Sequence, residues 1–326
     1  MAATPELVQG WLFDPGINVA HLKNVQGRLM QAQKAPNTER AYSHSWSQFE
    51  RWCSEAGRRA LPALPETVSL FVAWCLEQSY RLHTIRLRLT SIAVIHTQAG
   101  HESPVTTEVR KLLQAAARQK NEEPGGKAAL TPQQLRRICD RLDPSVPRDV
   151  RDRAMLLLGF HSGWRRSELA SLRIADIKLE DGKGLILRLR RSKTDQMGRG
   201  RTVGIHYGKR KETCPVRAYE AWLQVRGEWK GSVFTRLTKS GGVLQAGLSG
   251  EAILDVVKRC LSLIGVDPAD YGAHSLRAGM MTASAESGAD ALSIMQRTGH
   301  RSLQTVIGYI RPAQAFHHNP LENVSL

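Results

Sequence analysis

Apolar residues recur at helical spacing through most of the first third of the chain. In residues 18–33 they fall every three or four positions, at Val19, Leu22, Val25 and Leu29, which places them on one face of a helix. The same periodicity, interrupted by prolines and glycines, predicts four more helices at residues 38–57, 66–78, 82–99 and 106–119. An all-helical bundle is therefore predicted for this part of the chain.

The pattern changes at residues 121–129, NEEPGGKAA, which are charged and centred on Pro-Gly-Gly and so predict a linker. Thr131 and Pro132 then supply the N-cap and the first residue of a new helix. Alternating residues at 185–190 (LILRLR) and 201–205 (RTVGI) predict two strands of a hairpin. Further helices are predicted at 151–162, 215–226 and 250–264. The second part is thus mostly helical, with a small antiparallel β-sheet.

Charge indicates the kind of partner. The chain has 326 residues, enough for two domains, and 41% of them are hydrophobic, enough for real cores. Lys plus Arg number 46 against 30 Asp plus Glu, a net charge of +16. This excess favours a polyanion such as nucleic acid, since counterion release supplies much of DNA affinity. A merely basic protein without such a partner is the alternative.

Membrane, secretory and metal-binding signals are weak. No run of 18 apolar residues appears, and the first residues lack the basic and apolar regions of a signal peptide. The five cysteines are scattered and form no C-x-x-C or His/Cys cluster. We therefore expect a cytoplasmic protein located on DNA, with reduced thiols, no membrane partner, no metal and no cofactor.

Candidate chemistry is concentrated in residues 271–311. His274 and Arg277 lie three apart in H-S-L-R, so on a helix they point to the same side. Gly299-His300 and Tyr309 follow. Arginine suits phosphate because its guanidinium is always charged and donates a planar fork of hydrogen bonds. A tyrosine beside phosphate-binding arginines is a candidate covalent nucleophile.

H-x-x-R, then G-H, then Y in this order resembles the C-terminal signature of the tyrosine recombinase (phage integrase) family, and the chain looks most like its Cre-type two-domain members. The family also has an arginine in a G-x-R-x-S-E-L-like segment, which Gly163–Leu169 matches with Arg165 and Glu168. It further has a lysine on a β-hairpin, and Lys193 in R-R-S-K-T-D fits. The resemblance covers roughly half the chain.

The resemblance implies a role for each matched residue. Arg165 and Arg277 would grip the scissile phosphate, His300 would donate a hydrogen bond to it, and Tyr309 would attack phosphorus. Lys193 would protonate the leaving 5′-oxygen, and His274 would act as base or phosphate ligand. Glu168 would sit behind them and orient them. No metal is required if arginines carry the charge.

Plainer interpretations stand beside these roles. Arg165, Arg277 and Glu168 could be structural ion-pair partners, and Tyr309 could be partly buried packing. His274 could cap a helix with Ser275. Other basic residues of the hairpin could replace Lys193.

The resemblance also implies an architecture. A helical core-binding (SAM-like) bundle would occupy residues 17–120 and a catalytic domain with the DNA breaking-rejoining fold residues 131–311. A flexible arm at 1–16, the linker at 121–130 and a subunit-contacting tail at 312–326 complete this organisation.

Basic and polar residues of the fourth helix and of the hairpin are predicted to contact DNA. On the helix they are His83, Thr84, Arg86, Arg88 and Thr90, and on the hairpin Arg191, Arg199 and Arg201. A solvated charged face is the alternative for the helix.

The function implied is site-specific DNA recombination by a homotetramer on double-stranded target sites with inverted-repeat arms, through a 3′-phosphotyrosyl intermediate and a Holliday junction. Such enzymes belong to mobile genetic elements, among other settings. Two alternatives stay open: a DNA-binding protein on this fold without cleavage, and a type IB topoisomerase-like nicking and closing enzyme.

Overall fold

A computed structural model describes residues 18–31, 36–120, 127–190, 200–227 and 229–313. The chain divides into two compact units, Met1–Gly125 and Gly126–Leu326, each with its own buried core. The predicted arm at 1–16, most of the predicted linker and most of the predicted tail lie outside the described residues.

The first unit is helical, and the five predicted helices are present. They are α1 (Val19–Gln31), α2 (Pro36–Glu55), α3 (Pro65–Glu77), α4 (Leu82–Gln98) and α5 (Thr107–Lys120). Phe49 of α2 and Phe71 of α3 are fully buried, with ring centroids 5.0 Å apart in an edge-to-face arrangement. Ile85 and Ile92 of α4 complete this core at helical spacing.

A buried histidine ties a loop of this unit to α4. His96 accepts a hydrogen bond at Nε2 from the backbone N–H of Ala63 (2.8 Å) and contacts the Ile92 carbonyl through Nδ1 (2.8 Å). Burial lowers the pKa of His96. The ring is therefore a neutral structural group with both nitrogens used.

The second unit combines helices with two small sheets. Its helices are α6 (Pro132–Arg141), α7 (Pro147–Ser162), α8 (Arg166–Ala170), α9 (Pro215–Arg226), α10 (Gly250–Ser262), α11 (Ser275–Glu286), α12 (Ala291–Thr298) and α13 (Leu303–Ala313). Its strands are β1 (Ile177–Glu180), β2 (Gly184–Leu189), β3 (Arg201–His206), β4 (Thr235–Leu237) and β5 (Val243–Gly247). The predicted cap of α6 is present, because Thr131 Oγ1 accepts from Gln134 N (3.1 Å) and Gln134 Oε1 accepts from Thr131 N (2.9 Å).

Helix α7 is the centre of the second unit. Its residues Met155 to Leu158 are fully buried, so the helix is surrounded on all sides by α9, α11 and the sheet. Gly163 ends it in the left-handed conformation, with φ +62°. The chain leaves this cap directly into Trp164 and Arg165.

The antiparallel sheet has the order β1-β2-β3, with Leu187 opposite Val203 and Leu189 opposite Arg201. Alternation buries Leu185, Leu187 and Leu189 of β2. The pair β4-β5 forms a second antiparallel sheet that the sequence patterns did not predict. The predicted fold class, mainly helical with a small antiparallel sheet, is confirmed.

A buried ion network joins α7 to α10. Asp152 is fully buried and pairs with Arg151 (2.7 Å) and with Arg259 (2.7 Å), which also reaches Asp149 (3.0 Å). Each buried carboxylate thus has a cationic partner, as burial of charge requires. The network accounts for these four charged residues without invoking a further site.

All five cysteines are buried free thiols. Burial raises the pKa of Cys53 and Cys139 to about 11 and that of Cys260 to about 12, so these groups are protonated at neutral pH. Within the described ranges, no group of three or more His, Cys, Asp or Glu side chains is placed to hold a metal ion. None of the helices in the described part of the chain is long and apolar enough to cross a membrane.

Candidate active site

Arg165 stands at the N-cap of α8, immediately after the turn that ends α7. Its guanidinium Nη1 donates to Glu168 Oε1 (2.6 Å), and its backbone N–H donates to Glu168 Oε2 (2.9 Å). Glu168 is 4% exposed. One buried carboxylate therefore holds both the backbone and the side chain of Arg165, and such a contact reduces the freedom of the guanidinium.

Arg277 lies in the first turn of α11 and is buried. Its Nη1 donates to the carbonyl oxygen of Gly163 (2.9 Å), which fixes the start of α11 against the end of α7. Burial and the charge of Arg165 lower the pKa of Arg277 to about 10. The guanidinium stays charged at neutral pH, and two arginines sharing a poorly solvated site favour the binding of an anion.

His300 follows Gly299, whose φ of +66° ends α12 in the left-handed conformation. Arg277 Nη2 lies 3.0 Å from His300 Nε2 and 3.2 Å from Nδ1, and Thr298 Oγ1 lies 2.7 Å from Nδ1. Burial, followed by the charges of Arg277 and Arg165, lowers the pKa of His300 to about 4. The ring is therefore neutral at pH 7.

His274 is the N-cap residue of α11, and its side chain makes no capping hydrogen bond. The alternative that the His274 side chain caps the N-terminus of α11 is therefore wrong. Its ring is exposed, yet the protein around it and the charges of Arg277 and Arg165 lower the pKa of His274. A neutral histidine beside two arginines can accept a proton.

Tyr309 lies on α13, which packs against α11 and α12. The residue is half-buried and contacts the core of the second unit. Burial is the main influence on the pKa of Arg277, and Tyr309 is among the groups that act on it electrostatically. The structure therefore brings Tyr309 into the neighbourhood of the arginine pair.

The hairpin residues divide into two groups. Lys193, Arg191 and Arg199 lie outside the described residues. Arg201 is the first residue of β3 and is mostly buried, with Nη2 3.6 Å from Glu168 Oε2. A Cβ placed on Gly299 would lie 1.8 Å from Arg201 Nη1, so the guanidinium occupies the space beside Gly299.

Arg201 is thus a third arginine of the cluster, whereas its place on the hairpin predicted only a DNA contact. The alternation of residues along β3 could have predicted that the Arg201 side chain points toward the interior. Arg201, Val203 and Ile205 share one face of β3, and Val203 and Ile205 are buried.

The predicted DNA contacts of α4 do not share one environment. His83, Arg86 and Thr90 are exposed and Thr84 is half-buried. Arg88 is a correction: it is 3% exposed and does not face solvent. Its spacing from Ile85 and Ile92 places it on the core face of the helix.

Arg88 is held inside by several partners. Its guanidinium donates to Gln48 Oε1 and to Cys75 Sγ (3.1 Å), and its Cζ lies 3.8 Å from the ring centroid of Tyr80. These contacts satisfy the buried charge, so Arg88 is a structural residue of the first unit.

Residues 127–130, here termed the leading segment, run alongside the candidate site. Ala128 N donates to Asp270 O (2.8 Å), Leu130 N donates to Ser275 O (3.0 Å) and Lys127 Nζ donates to Ala269 O (2.7 Å). A Cβ on Gly279 would lie 1.9 Å from Leu130 O, so only glycine permits this approach. The leading segment is thus bound to the same stretch of chain that presents His274 and Arg277.

Sequence comparison finds relatives that span both units. The phage integrase family model matches residues 128–315. An integrase/recombinase xerD homolog of Selenomonas ruminantium is 33% identical over 301 residues, covering 91% of this chain and 88% of that protein. The recombinase cre of Escherichia phage P1 is 25% identical over 82% of this chain and 80% of its own length.

Solved structures show the same architecture. A lambda integrase dimer bound to a COC′ core site is similar with a TM-score of 0.60 and 16% identity, covering 90% of this chain and 95% of that chain. The Tn1549 transposon integrase in complex with transposon right end DNA has a TM-score of 0.64 and 15% identity, covering 90% and 94%. At these identities the likeness shows the fold alone, and it confirms the predicted DNA breaking-rejoining fold.

Proposed function

The chain belongs to the phage integrase family of tyrosine recombinases, and we propose that this site-specific recombinase cleaves and rejoins DNA through a 3′-phosphotyrosyl intermediate. One observation carries the proposal: Arg165, Arg277 and His300 form one cluster, with Tyr309 on the adjacent helix. Family membership and the cluster support each other, because the matched motifs meet in space.

The arginines supply the charge that phosphoryl transfer needs. In the proposed mechanism Arg165 and Arg277 bind the non-bridging oxygens of the scissile phosphate, and His300 donates a hydrogen bond to it. Glu168 holds Arg165 in position through two contacts. Removing one such preorganised donor typically costs about 3 kcal/mol of transition-state stabilisation.

The covalent step uses Tyr309. Its Oη attacks phosphorus, the bond between phosphorus and the 5′-oxygen breaks, and a bond between tyrosine and the 3′-phosphate forms. His274, neutral in this site, accepts the phenolic proton, and Lys193 gives a proton to the leaving 5′-oxygen. The phosphotyrosyl ester keeps the energy of the broken bond for rejoining, and no step requires a metal ion.

The partner proposed is double-stranded DNA with inverted-repeat arms, bound by a homotetramer that exchanges strands through a Holliday junction. The first unit would act as the core-binding domain and the second as the catalytic domain, with residues 121–130 linking them. The net charge of +16 supports a polyanionic partner. A location on DNA in the cytoplasm belongs to the same proposal. The proposed DNA contacts of the described residues are His83, Thr84, Arg86, Thr90 and Arg201, and those outside the described residues are Arg191 and Arg199.

Covalent trapping tests the proposed function. DNA flanking the gene would be screened as nicked suicide duplexes, in EDTA, with the intact protein and Tyr309→Phe. We expect a detergent-resistant adduct that is absent from Tyr309→Phe. An adduct that persists in Tyr309→Phe would identify a different nucleophile.

The same assay separates the other candidate functions. Salt-sensitive binding without an adduct from either protein would favour a DNA-binding protein that does not cleave. Relaxation of a supercoiled plasmid without exchange between two sites would favour a nicking and closing enzyme. A dependence of the adduct on added divalent cation would contradict the metal-free mechanism.

A further inference from the structure

Thr298 is a fully buried residue that the proposed mechanism does not use. It is the last residue of α12, two positions before His300. Its hydroxyl Oγ1 lies 2.7 Å from the carbonyl oxygen of Ile294 and 2.7 Å from His300 Nδ1. Both distances are those of hydrogen bonds.

Counting protons assigns the direction of both bonds. A carbonyl oxygen has no proton, so the short contact with Ile294 O requires the single hydroxyl proton of Thr298. In the second contact, between Thr298 Oγ1 and His300 Nδ1, the hydroxyl oxygen must therefore accept, and His300 Nδ1 must supply the proton. The network therefore places a proton on Nδ1, and in the neutral ring Nε2 carries a lone pair.

Arg277 does not determine this proton position. Its Nη2 is nearly equidistant from the two ring nitrogens of His300, at 3.0 and 3.2 Å. These nitrogens flank one ring carbon, so an atom this close to both cannot lie in the ring plane without overlapping that carbon. The Nη2 atom therefore lies out of the ring plane, so it is not placed along the in-plane lone pair of Nε2.

The charges around the ring keep it neutral in the absence of DNA. Burial is the main cause of the lowered pKa of His300, followed by the positive charges of Arg277, Arg165 and Arg201 and the neighbouring His274. Tyr309 acts on Arg277 from α13. A neutral ring with its proton on Nδ1 can accept a hydrogen bond at Nε2, and it cannot donate one there.

We propose that Thr298 is a positioning residue that keeps the proton of neutral His300 on Nδ1, so that His300 donates to the scissile phosphate only after Nε2 takes up a second proton. That proton comes from solvent when DNA binds, because the negative phosphodiester offsets the surrounding positive charge. The inference rests on the proposed function for its consequence, whereas the proton position itself does not depend on that function.

The proton position can be measured without DNA. Nitrogen NMR of ¹⁵N-histidine-labelled protein at about pH 7.5 reports which ring nitrogen carries the proton, with His300 assigned from the signal lost in His300→Gln. We expect Nδ1–H in the wild type and in Thr298→Ser, which keeps the hydroxyl. In Thr298→Val, Nδ1 faces a methyl group, and we expect the Nε2–H form to appear.

An Nε2–H ring or a doubly protonated ring in the wild type would overturn the proposal. An unchanged proton position in folded Thr298→Val would also overturn it. Because Thr298→Ser keeps the hydroxyl, it provides a second readout if the valine variant does not fold: a proton on Nε2 in Thr298→Ser would contradict the hydroxyl's role.

The consequence is tested on the nicked duplex that traps the adduct. Above the pKa of the DNA-bound ring, the wild-type cleavage rate should fall by up to about tenfold per pH unit as the second proton is lost. Thr298→Val can donate from neutral Nε2, so its rate should fall less over the same range, whereas Thr298→Ser should follow the wild type. Identical pH profiles for wild type and Thr298→Val would overturn the proposal.

Failure of the proposed function has a different signature. If the wild type and the variants bind a nicked duplex and form no adduct at any pH, the proposed cleavage is wrong, while the NMR result still decides the position of the proton. If adducts form and the proton lies on Nε2 in the wild type, the proposed function stands and the role of Thr298 is wrong.

Discussion

Arg277 is bound in a way that a lysine cannot reproduce. One guanidinium nitrogen donates to Gly163 O and another lies over His300, so the planar fork contacts two groups at once. We expect Arg277→Lys to lower the rate of adduct formation about a hundredfold, equivalent to about 3 kcal/mol. Single-turnover kinetics on the nicked duplex measure this loss.

The matched control for Arg277 is Arg190→Lys. Arg190 is an exposed arginine of the same unit that pairs with Asp176, and a lysine can keep that ion pair. Its variant should retain nearly full activity. Equal losses in both variants would show that the rate depends on general positive charge rather than on the fork of Arg277.

The lowered pKa of His300 has a consequence for stability. The folded pKa of about 4 lies below the ordinary value near 6.5, so below about pH 6.5 the unfolded chain takes up the proton first. The free energy of unfolding should therefore fall as pH drops from about 6.5 to 4, with a contribution from His300 on the order of 2 kcal/mol.

Denaturant unfolding at several pH values, compared between wild type and His300→Gln, isolates this contribution. His96, His161 and His274 also have lowered pKa values and are present in both proteins, so their effects cancel in the difference. An unchanged acid slope in His300→Gln would show that the pKa of His300 is not lowered in the folded protein.

The sequence motifs identified the residues of the candidate active site, but they did not predict which groups contact each of them. His274, Arg277 and His300 were named from motif order, which is local. The proton position proposed for His300 depends on a hydroxyl two residues away, and its lowered pKa depends on burial and on arginines from other elements, none of which motif order encodes. Arg201 was predicted to contact DNA from its place on the hairpin, and its contacts with Glu168 and Gly299, which place it beside Arg165, come from tertiary packing that motif order does not encode.

Helix α4 has a buried face and an exposed face, and it carries basic residues on both. Helical spacing predicted its apolar stripe correctly, and the same spacing puts Arg88 within that stripe. The error arose because charge was taken as a sign of exposure. Arginine can enter a core when its donors are paired and its guanidinium stacks on a ring, and these partners come from α2 and α3 and from Tyr80 beyond α3.

A matched pair of substitutions on α4 tests this difference. We expect Arg86→Ala, at an exposed position, to weaken DNA binding and to reduce the salt slope of log K by about 1, with little change in stability. Arg88→Ala should lower the free energy of unfolding by about 3 kcal/mol, because Gln48 loses a buried partner. Binding isotherms at several salt concentrations and denaturant unfolding measure the two effects.

Each of the two substitutions, Arg86→Ala and Arg88→Ala, serves as the control for the other. A salt slope unchanged in Arg86→Ala would remove α4 from the DNA-binding surface and leave its charge as a solvated face. A fully stable Arg88→Ala would mean that the buried contacts of Arg88 contribute little to the folded state.

The whole molecule consists of two units with separate cores, and the leading segment forms its hydrogen bonds within the second unit. Residues 127–326 should therefore fold alone, with a cooperative unfolding transition and the spectrum of a mostly helical protein. The isolated unit should bind DNA more weakly and with a smaller salt slope than the full chain, because the basic residues of the first unit are absent. Circular dichroism and salt-dependent binding would show both properties.

A fragment 127–326 that remains unfolded would mean that the second unit depends on the first. A fragment that binds DNA as tightly as the full chain would show that the first unit contributes nothing to affinity.

The sequence predicted the change from an all-helical unit to a mixed unit because composition and periodicity change together near residue 121. The pairing of β4 with β5 was missed because those strands are short and weakly patterned.

The leading segment has a mechanical consequence. Its backbone N–H groups at Ala128 and Leu130 are bound to Asp270 and Ser275, and Gly279 leaves no gap behind Leu130. A pull on the chain at residue 127 therefore loads the backbone on either side of His274 before it strains the buried centre of the second unit. Tension applied at residue 127 therefore reaches the start of α11 first, where Arg277 is placed.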